Sequence, residues 1–295
     1  MRQLLLLLFS LLFFGACAGP HSAETGQISE VAPQKESKTV ASPPAEQPKQ
    51  QEAQTKKSIL VKPQKPLPEP ELAAAPKHPL RYQNVTSQGI TFSIVSFDTR
   101  DHFLAVADQE PGKRWKSASQ AARSIDGVAG INAGFFNTDG SPLGLVKARG
   151  KRSGHWNSQS SLASGVYQFS KGTSSLQRNK FADRSSPELV QSGPFLVENG
   201  ELISGLSATK SAQRSLILWN GKHHMAMAMT STCTLKKLST AVDALPAKIP
   251  HYTALNLDGG RSCDLYINEE VSGGPAQKNH WLKNNVRNYL ILVRK

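Results

Sequence analysis

The stretch YTALNLDGGRSCDLYIN, residues 252 to 268, places one carboxylate, Asp258, between an alternating apolar run and two glycines, with Arg261 and Ser262 directly after them. Asp-Gly between two β-rich runs is a strong hairpin signal, because both turn positions need φ > 0. The same glycines also bare the backbone, so that a ligand can approach Asp258 and the amides of Arg261 and Ser262. This stretch alone supports both readings equally. A second chemical cluster is GINAGFFNTDGSPLGL, residues 130 to 145, where Asn132 and Asn137 offer donor and acceptor groups suited to sugar hydroxyls. Phe135 and Phe136 read as core residues more readily than as stacking platforms. Arg214 carries a guanidinium able to hold two phosphate oxygens at once.

Other chemistries find less support. The histidines, His223-His224 included, lack metal-ligand spacing, so no metal site and no cofactor is expected. No Gly-x-Ser-x-Gly elbow surrounds Ser262, which disfavours an acyl-enzyme serine. Asp139 fits a turn and Asp243 a solvated helix face; with Asp264 they leave a second catalytic carboxylate unassigned.

The elements that must position these groups can be read coarsely. Strands are expected over 90 to 97, 103 to 107, 127 to 132 and 286 to 293, and a meander over 188 to 203. A hairpin over 214 to 229 would turn at Asn220-Gly221. One helix begins at Ser117, with Gln120 at capping-box spacing, and stops by Gly127. A second runs from Leu235 to Leu245 ahead of Pro246, so the strands around it form a candidate β-α-β unit. Asn132 and Asp258 then fall at carboxyl ends of strands, where α/β sheets commonly bind ligands. The fold class expected is α+β, a single strand-rich mixed domain with helices packed on a twisted sheet.

The chain opens MRQLLLLLFSLLFFGAC, whose apolar run Leu4 to Phe14 is shorter than the roughly 20 residues that a membrane-spanning helix needs. It reads as a lipoprotein signal peptide, residues 1–17, ending at a lipidated Cys17, with a plain secretory peptide as the alternative. Residues 18–80 are rich in Pro, Gln, Lys and Glu, the composition of a disordered tether. Residues 81–295 form the expected domain and carry most of the formal charge of +13, which favours anionic surroundings. No nucleic-acid module is evident. With Cys17 lipidated, Cys233 and Cys263 remain as a candidate disulfide in an oxidising compartment.

INAGFFN with GSPLGL, then SGPFLVENG, AQRSLIL and LNLDGGRS, in that order, resemble the phosphodiester glycosidase domain family over nearly all of residues 90 to 293. The resemblance implies hydrolysis of a sugar-1-phosphodiester in envelope or extracellular glycans. It places Asn132, Gly134 and Asn137 in a first block, Gly193 in a second, Arg214 in a third, and Asp258, Gly259, Gly260 and Ser262 in a fourth. Arg261 stands where the family usually has a third glycine. The implied roles are Asp258 as nucleophile or general base, Arg214 as phosphate clamp, Asn132 as a catalytic companion, and Gly134, Asn137, Gly193, Gly259, Gly260, Arg261 and Ser262 as substrate-binding positions. The amides from Gly260 to Ser262 are a candidate oxyanion nest. The expected partners are a phosphorylated glycan substrate and a membrane reached through Cys17, facing the periplasm. The rival reading is a non-catalytic lipoprotein that binds anionic glycans.

Overall fold

The structure, a computed structural model, describes residues 77–295. The signal peptide, Cys17 and the tether up to residue 76 lie outside the described residues. Residues 77 to 80, assigned to the tether by composition, dock on the domain: the amide of His78 donates to Asp98 at 2.9 Å, and its ring stacks on His224 at 3.9 Å.

Three antiparallel sheets build the domain. In the seven-stranded sheet the order is Arg81–Ser87, Ile90–Asp98, His224–Thr230, Ser215–Trp219, Thr253–Asn256, Phe195–Glu198 and Glu201–Leu202. The second sheet, of five strands, runs Ala276–Asn279, Asp264–Ile267, Ala129–Asn132, Asn288–Arg294 and His102–Asp108. The third, also five-stranded, runs Lys151–Ser153, Val146–Ala148, Glu188–Ser192, Gly165–Ser170 and Thr173–Arg178. The domain is thus strand-rich with few helices, and it has three sheets where one had been expected.

Side-chain alternation explains the layering. In HMAMAMT, Met225, Met227 and Met229 enter the central core shared by the three sheets, whereas Ala226 and Ala228 face the opposite side. On that side lies helix α2, Leu235–Asp243, whose Leu238, Ala241 and Val242 pack on the sheet. Small residues beneath the helix allow close approach while large ones fill the core. Helix α1, Ala118–Arg123, packs Ala118, Ala121 and Ala122 against Tyr289 and Ile291 of the second sheet. Its N-cap is the expected Ser117, whose Oγ accepts the Gln120 amide at 3.1 Å; the Gln120 side chain reaches back one residue further than a capping box does, its Oε1 accepting the Lys116 amide at 3.0 Å.

Of the four expected connections, two are present and two differ. The hairpin at Asn220-Gly221 is present, pairing Ser215–Trp219 with His224–Thr230. The β-α-β crossover through α2 also exists, but Ser215–Trp219 lies between its two strands and pairs antiparallel with both. The expected meander is split, because Gly193-Pro194 carries the chain from the third sheet into the seven-stranded one. Asp258-Gly259 is not a hairpin turn either. Thr253–Asn256 pairs with Ser215–Trp219 and Phe195–Glu198, whereas Asp264–Ile267 pairs with Ala129–Asn132 and Ala276–Asn279 in the second sheet. Among the described residues, no helix is long and apolar enough to cross a membrane.

Candidate active site

The crossing between sheets at Asp258 is held by one side chain. Asn132, fully buried at the end of its strand, donates from Nδ2 to the Asp258 carbonyl at 2.6 Å. Its Oδ1 accepts from Ser215 Oγ at 2.6 Å and from the Asp264 amide at 3.1 Å. The Asp258 amide donates to the Ala133 carbonyl at 2.9 Å. Asn132 therefore ties together the loop, its own strand, the Arg214–Ser215 segment and the start of the next strand. These bonds make it a positioning residue, where a catalytic companion had been expected.

With its backbone fixed, Asp258 keeps a partly exposed side chain crowded by protein atoms. Burial pushes its carboxyl up to about 6, against the opposing pull of the Ser262 hydroxyl and the Gly259 amide. Arg214 lies over the adjacent glycine: a Cβ at Gly259 would stand 3.6 Å from its Cδ, 3.7 Å from its Nη1 and 3.0 Å from the Gln213 carbonyl. The guanidinium donates to the carbonyls of Lys210 at 2.7 Å and Cys233 at 3.4 Å. Among the described residues no carboxylate forms a salt bridge with it. Partial burial lowers its pKa from the usual arginine range.

Cys263 lies within electrostatic reach of both groups. Burial first, and the Asp258 charge with it, push its thiol up to about 12 while Arg214 pulls it down. Cys233 and Cys263 are free, buried thiols here, and the expected disulfide is not formed. Each thiol has another neighbour: Cys263 Sγ lies 3.4 Å from Ser215 Oγ, and Cys233 Sγ lies 3.7 Å from Thr230 Oγ1.

The remaining expected residues divide. Gly134 donates its amide to Asn288 Oδ1 at 2.7 Å, and a Cβ there would lie 3.0 Å from the Gln191 carbonyl. Gly193 accepts from Asn256 Nδ2 at 2.8 Å, and a Cβ would meet the Ser161 carbonyl at 2.3 Å. Packing requires glycine at 193 and crowds position 134. The Gly260 amide is spent on the Gln213 carbonyl at 2.8 Å and the Ser262 amide on Gly259 at 3.3 Å, so two of the three amides of the expected nest already have partners. Arg261 is exposed and donates from Nε to the Leu282 carbonyl at 2.9 Å. Asn137 is bound locally, to Ser141 Oγ at 2.9 Å. It lines a cavity of about 710 Å³ with Lys151, Arg152 and His155, whose lining includes neither Asp258 nor Arg214.

Sequence reasoning missed Ser215, Asn256 and Asn288. The signal lay in polar residues at buried positions of apolar strands, as in LNL. Asn256 Oδ1, Asn288 Nδ2 and Ser192 Oγ are buried without a protein partner among the described residues. Asp264, left unassigned from sequence, is fully buried. Its Oδ2 accepts from the Ala118 amide at 2.8 Å, Tyr289 Oη at 3.0 Å and Lys283 Nζ at 3.1 Å, so it binds α1 to the second sheet. Asp139 holds its turn, accepting from the Ser141 amide at 2.8 Å. No cluster of three or more His, Cys, Asp or Glu side chains that could hold a metal ion occurs among the described residues.

The domain has counterparts among known proteins in both sequence family and fold. A family model for phosphodiester glycosidases matches residues 126–293, more than half of the chain, and the chain belongs to that family. Among solved structures it is similar to the catalytic domain of zebrafish N-acetylglucosamine-1-phosphodiester alpha-N-acetylglucosaminidase, auto-inhibited by its pro-peptide. That likeness has a TM-score of 0.53 and 13% identity, covers 72% of this chain and 82% of the other, and shows a shared fold. A protein from Synechocystis is also similar, with a TM-score of 0.49 and 15% identity over 72% of this chain and 61% of its own. Curated protein sequences give no match.

Proposed function

We propose that this protein hydrolyses the bond between an anomeric carbon and a phosphodiester oxygen in envelope or extracellular glycans. The observation that supports the reading best is that Asp258, its carboxyl raised to about 6 by burial, is followed by Gly259, over which lies a half-buried Arg214 with no carboxylate salt bridge among the described residues.

The chemistry follows from the leaving group. A phosphate monoester leaves readily, so the site needs little acid assistance compared with an ordinary glycoside. Asp258, ionised above its pKa, either attacks the anomeric carbon or takes a proton from the attacking water. The C–O bond breaks, its electron pair departs with the phosphate, and water supplies the new sugar hydroxyl. Arg214 neutralises charge gathering on the departing phosphate, where a guanidinium offers two parallel donors. Asn132 holds the Asp258 carbonyl and so fixes the carboxylate in place. The basic groups beside Asn137 provide a surface for the group beyond the phosphate.

The proposed setting is a lipid-anchored, periplasm-facing protein, with Cys17 in the membrane and residues 18–76 as tether. The rival, a non-catalytic glycan-binding module, draws on how many loop groups are already bonded internally. Hydrolysis in ¹⁸O-water separates the possibilities. Label in the released sugar indicates C–O cleavage and supports the proposal. Label in the phosphate indicates attack at phosphorus, and no release from a broad panel of sugar-1-phosphodiesters favours the rival.

A further inference from the structure

The strand Thr253–Asn256 leads to Asp258 at one end, and a second, unassigned cavity lies at the other. It has a volume of about 630 Å³, within the range of small-molecule sites. Tyr252, immediately before the strand, is one of its walls. Tyr252 and Asp258 are six steps apart along largely extended chain, about 20 Å at strand rise, so the two places are distinct.

Tyr252 is 47% exposed, yet it is held from both edges. Gly200 and Gly221, at φ of +83° and +78°, turn two neighbouring hairpins against its ring. A Cβ at Gly200 would lie 3.4 Å from Cε2, and one at Gly221 would lie 3.2 Å from Cδ1. The Gly200 amide also donates to the Tyr252 carbonyl at 2.7 Å. Two tight turns thus fix an aromatic ring that remains open to solvent, an arrangement that burial alone does not require.

The groups around this ring are polar and mainly basic. Arg81 and Lys248 line the cavity, are exposed, and form no salt bridge among the described residues. Asp243 is the one carboxylate in the lining. Gln83 and Asn220 add amides, and Asn220 Oδ1 is already bonded to the amides of Lys222 and His224. The stacked pair His78 and His224 closes the wall; burial, and then the neighbouring His78, push His224 down to about 4, so its ring is neutral at neutral pH. A fixed aromatic face, amide side chains and two unpaired cations together match a sugar ring bearing acid groups.

We propose that this cavity binds an acidic oligosaccharide, with a sugar face against Tyr252 and its acid groups toward Arg81 and Lys248. Occupancy here does not depend on the hydrolytic reading. The test is calorimetric titration of the full chain with an oligogalacturonate, beside a neutral maltooligosaccharide of equal length. The expected result is binding of the acidic probe alone, at least tenfold weaker in Tyr252→Ala. The exposed pair Arg81→Gln with Lys248→Gln should show the same loss and avoids any folding defect of the Tyr252 variant. Four results would overturn the proposal: equal binding of the neutral probe, binding of neither probe, weakening by Arg214→Gln while the cavity variants bind normally, or capture by phosphatidylglycerol vesicles without oligosaccharide binding.

Discussion

The two ends of the strand Thr253–Asn256 use glycine and polar side chains in opposite ways. At the Asp258 end, a Cβ at Gly193 would strike the Ser161 carbonyl at 2.3 Å, and one at Gly259 would crowd the Gln213 carbonyl at 3.0 Å. Asn132 and Asn256 there spend their amides on the carbonyls of Asp258 and Gly193. At the Tyr252 end, Gly200 and Gly221 form turns of positive φ against the ring of Tyr252, and the polar side chains of Arg81 and Lys248 line the cavity without salt bridges among the described residues. One end uses its polar groups to fix a backbone beneath a single carboxylate; the other leaves them available around a fixed ring. Rigidity at the first end is a matter of chain geometry and at the second a matter of surface chemistry, so substitutions at the two should differ in size and in kind.

The largest stability loss is expected for Gly193→Ala. Its Cβ would strike the Ser161 carbonyl, so backbone must move, and a cost of about 3 kcal/mol should appear as a lower urea midpoint. A midpoint close to wild type would show that the loop at Ser161 yields easily. Asn132→Ala comes next. It strands the Ser215 hydroxyl, the Asp264 amide and the Asp258 carbonyl, for a loss of about 2 kcal/mol by the same measurement.

The titration of Asp258 gives a third expectation. Its folded pKa, about 6, lies above the ordinary carboxylate value, so the folded state binds the proton more tightly than the unfolded state. The resulting stabilisation is complete below pH ~4 and is lost as pH rises to about 6, for a total on the order of 2 kcal/mol after allowing for partial exposure. In Asp258→Asn that segment of the stability–pH curve should flatten; an unchanged curve would assign the slope to other groups. The smallest effect belongs to the other end. Gly200→Ala places a methyl group at positive φ in ordinary contact with the Tyr252 ring, and calorimetric melting should show a loss of about 1 kcal/mol.

Much of the Asp258 end was legible in the sequence, because a short motif keeps its neighbours close. LNLDGGRS, INAGFFN, SGPFLVENG and AQRSLIL supply Asp258, Asn132, Gly193 and Arg214, and the fold brings these four around one crossing. Asn137 belongs to the same motif as Asn132 but lies on a separate cavity, since a loop five residues long can turn away from its strand. What alternation cannot say is which sheet a strand will join: the runs on either side of Asp258-Gly259 look like one hairpin and belong to two sheets. Short strands such as Val146–Ala148 carry too few residues to show a period. Tyr252 gave no signal either, because its setting comes from two distant turns at Gly200 and Gly221 that meet only in the folded chain.

The central claim rests on the Asp258 carboxylate, and it is tested most directly by sugar release from a panel of sugar-1-phosphodiesters, full-length wild type beside Asp258→Asn, with folding of both verified by melting. The account predicts turnover by wild type and a loss of at least about 100-fold in the variant, the usual scale for removing a catalytic base or nucleophile. Equal turnover by the two proteins would contradict it and leave Asp258 as a structural residue of the crossing between sheets.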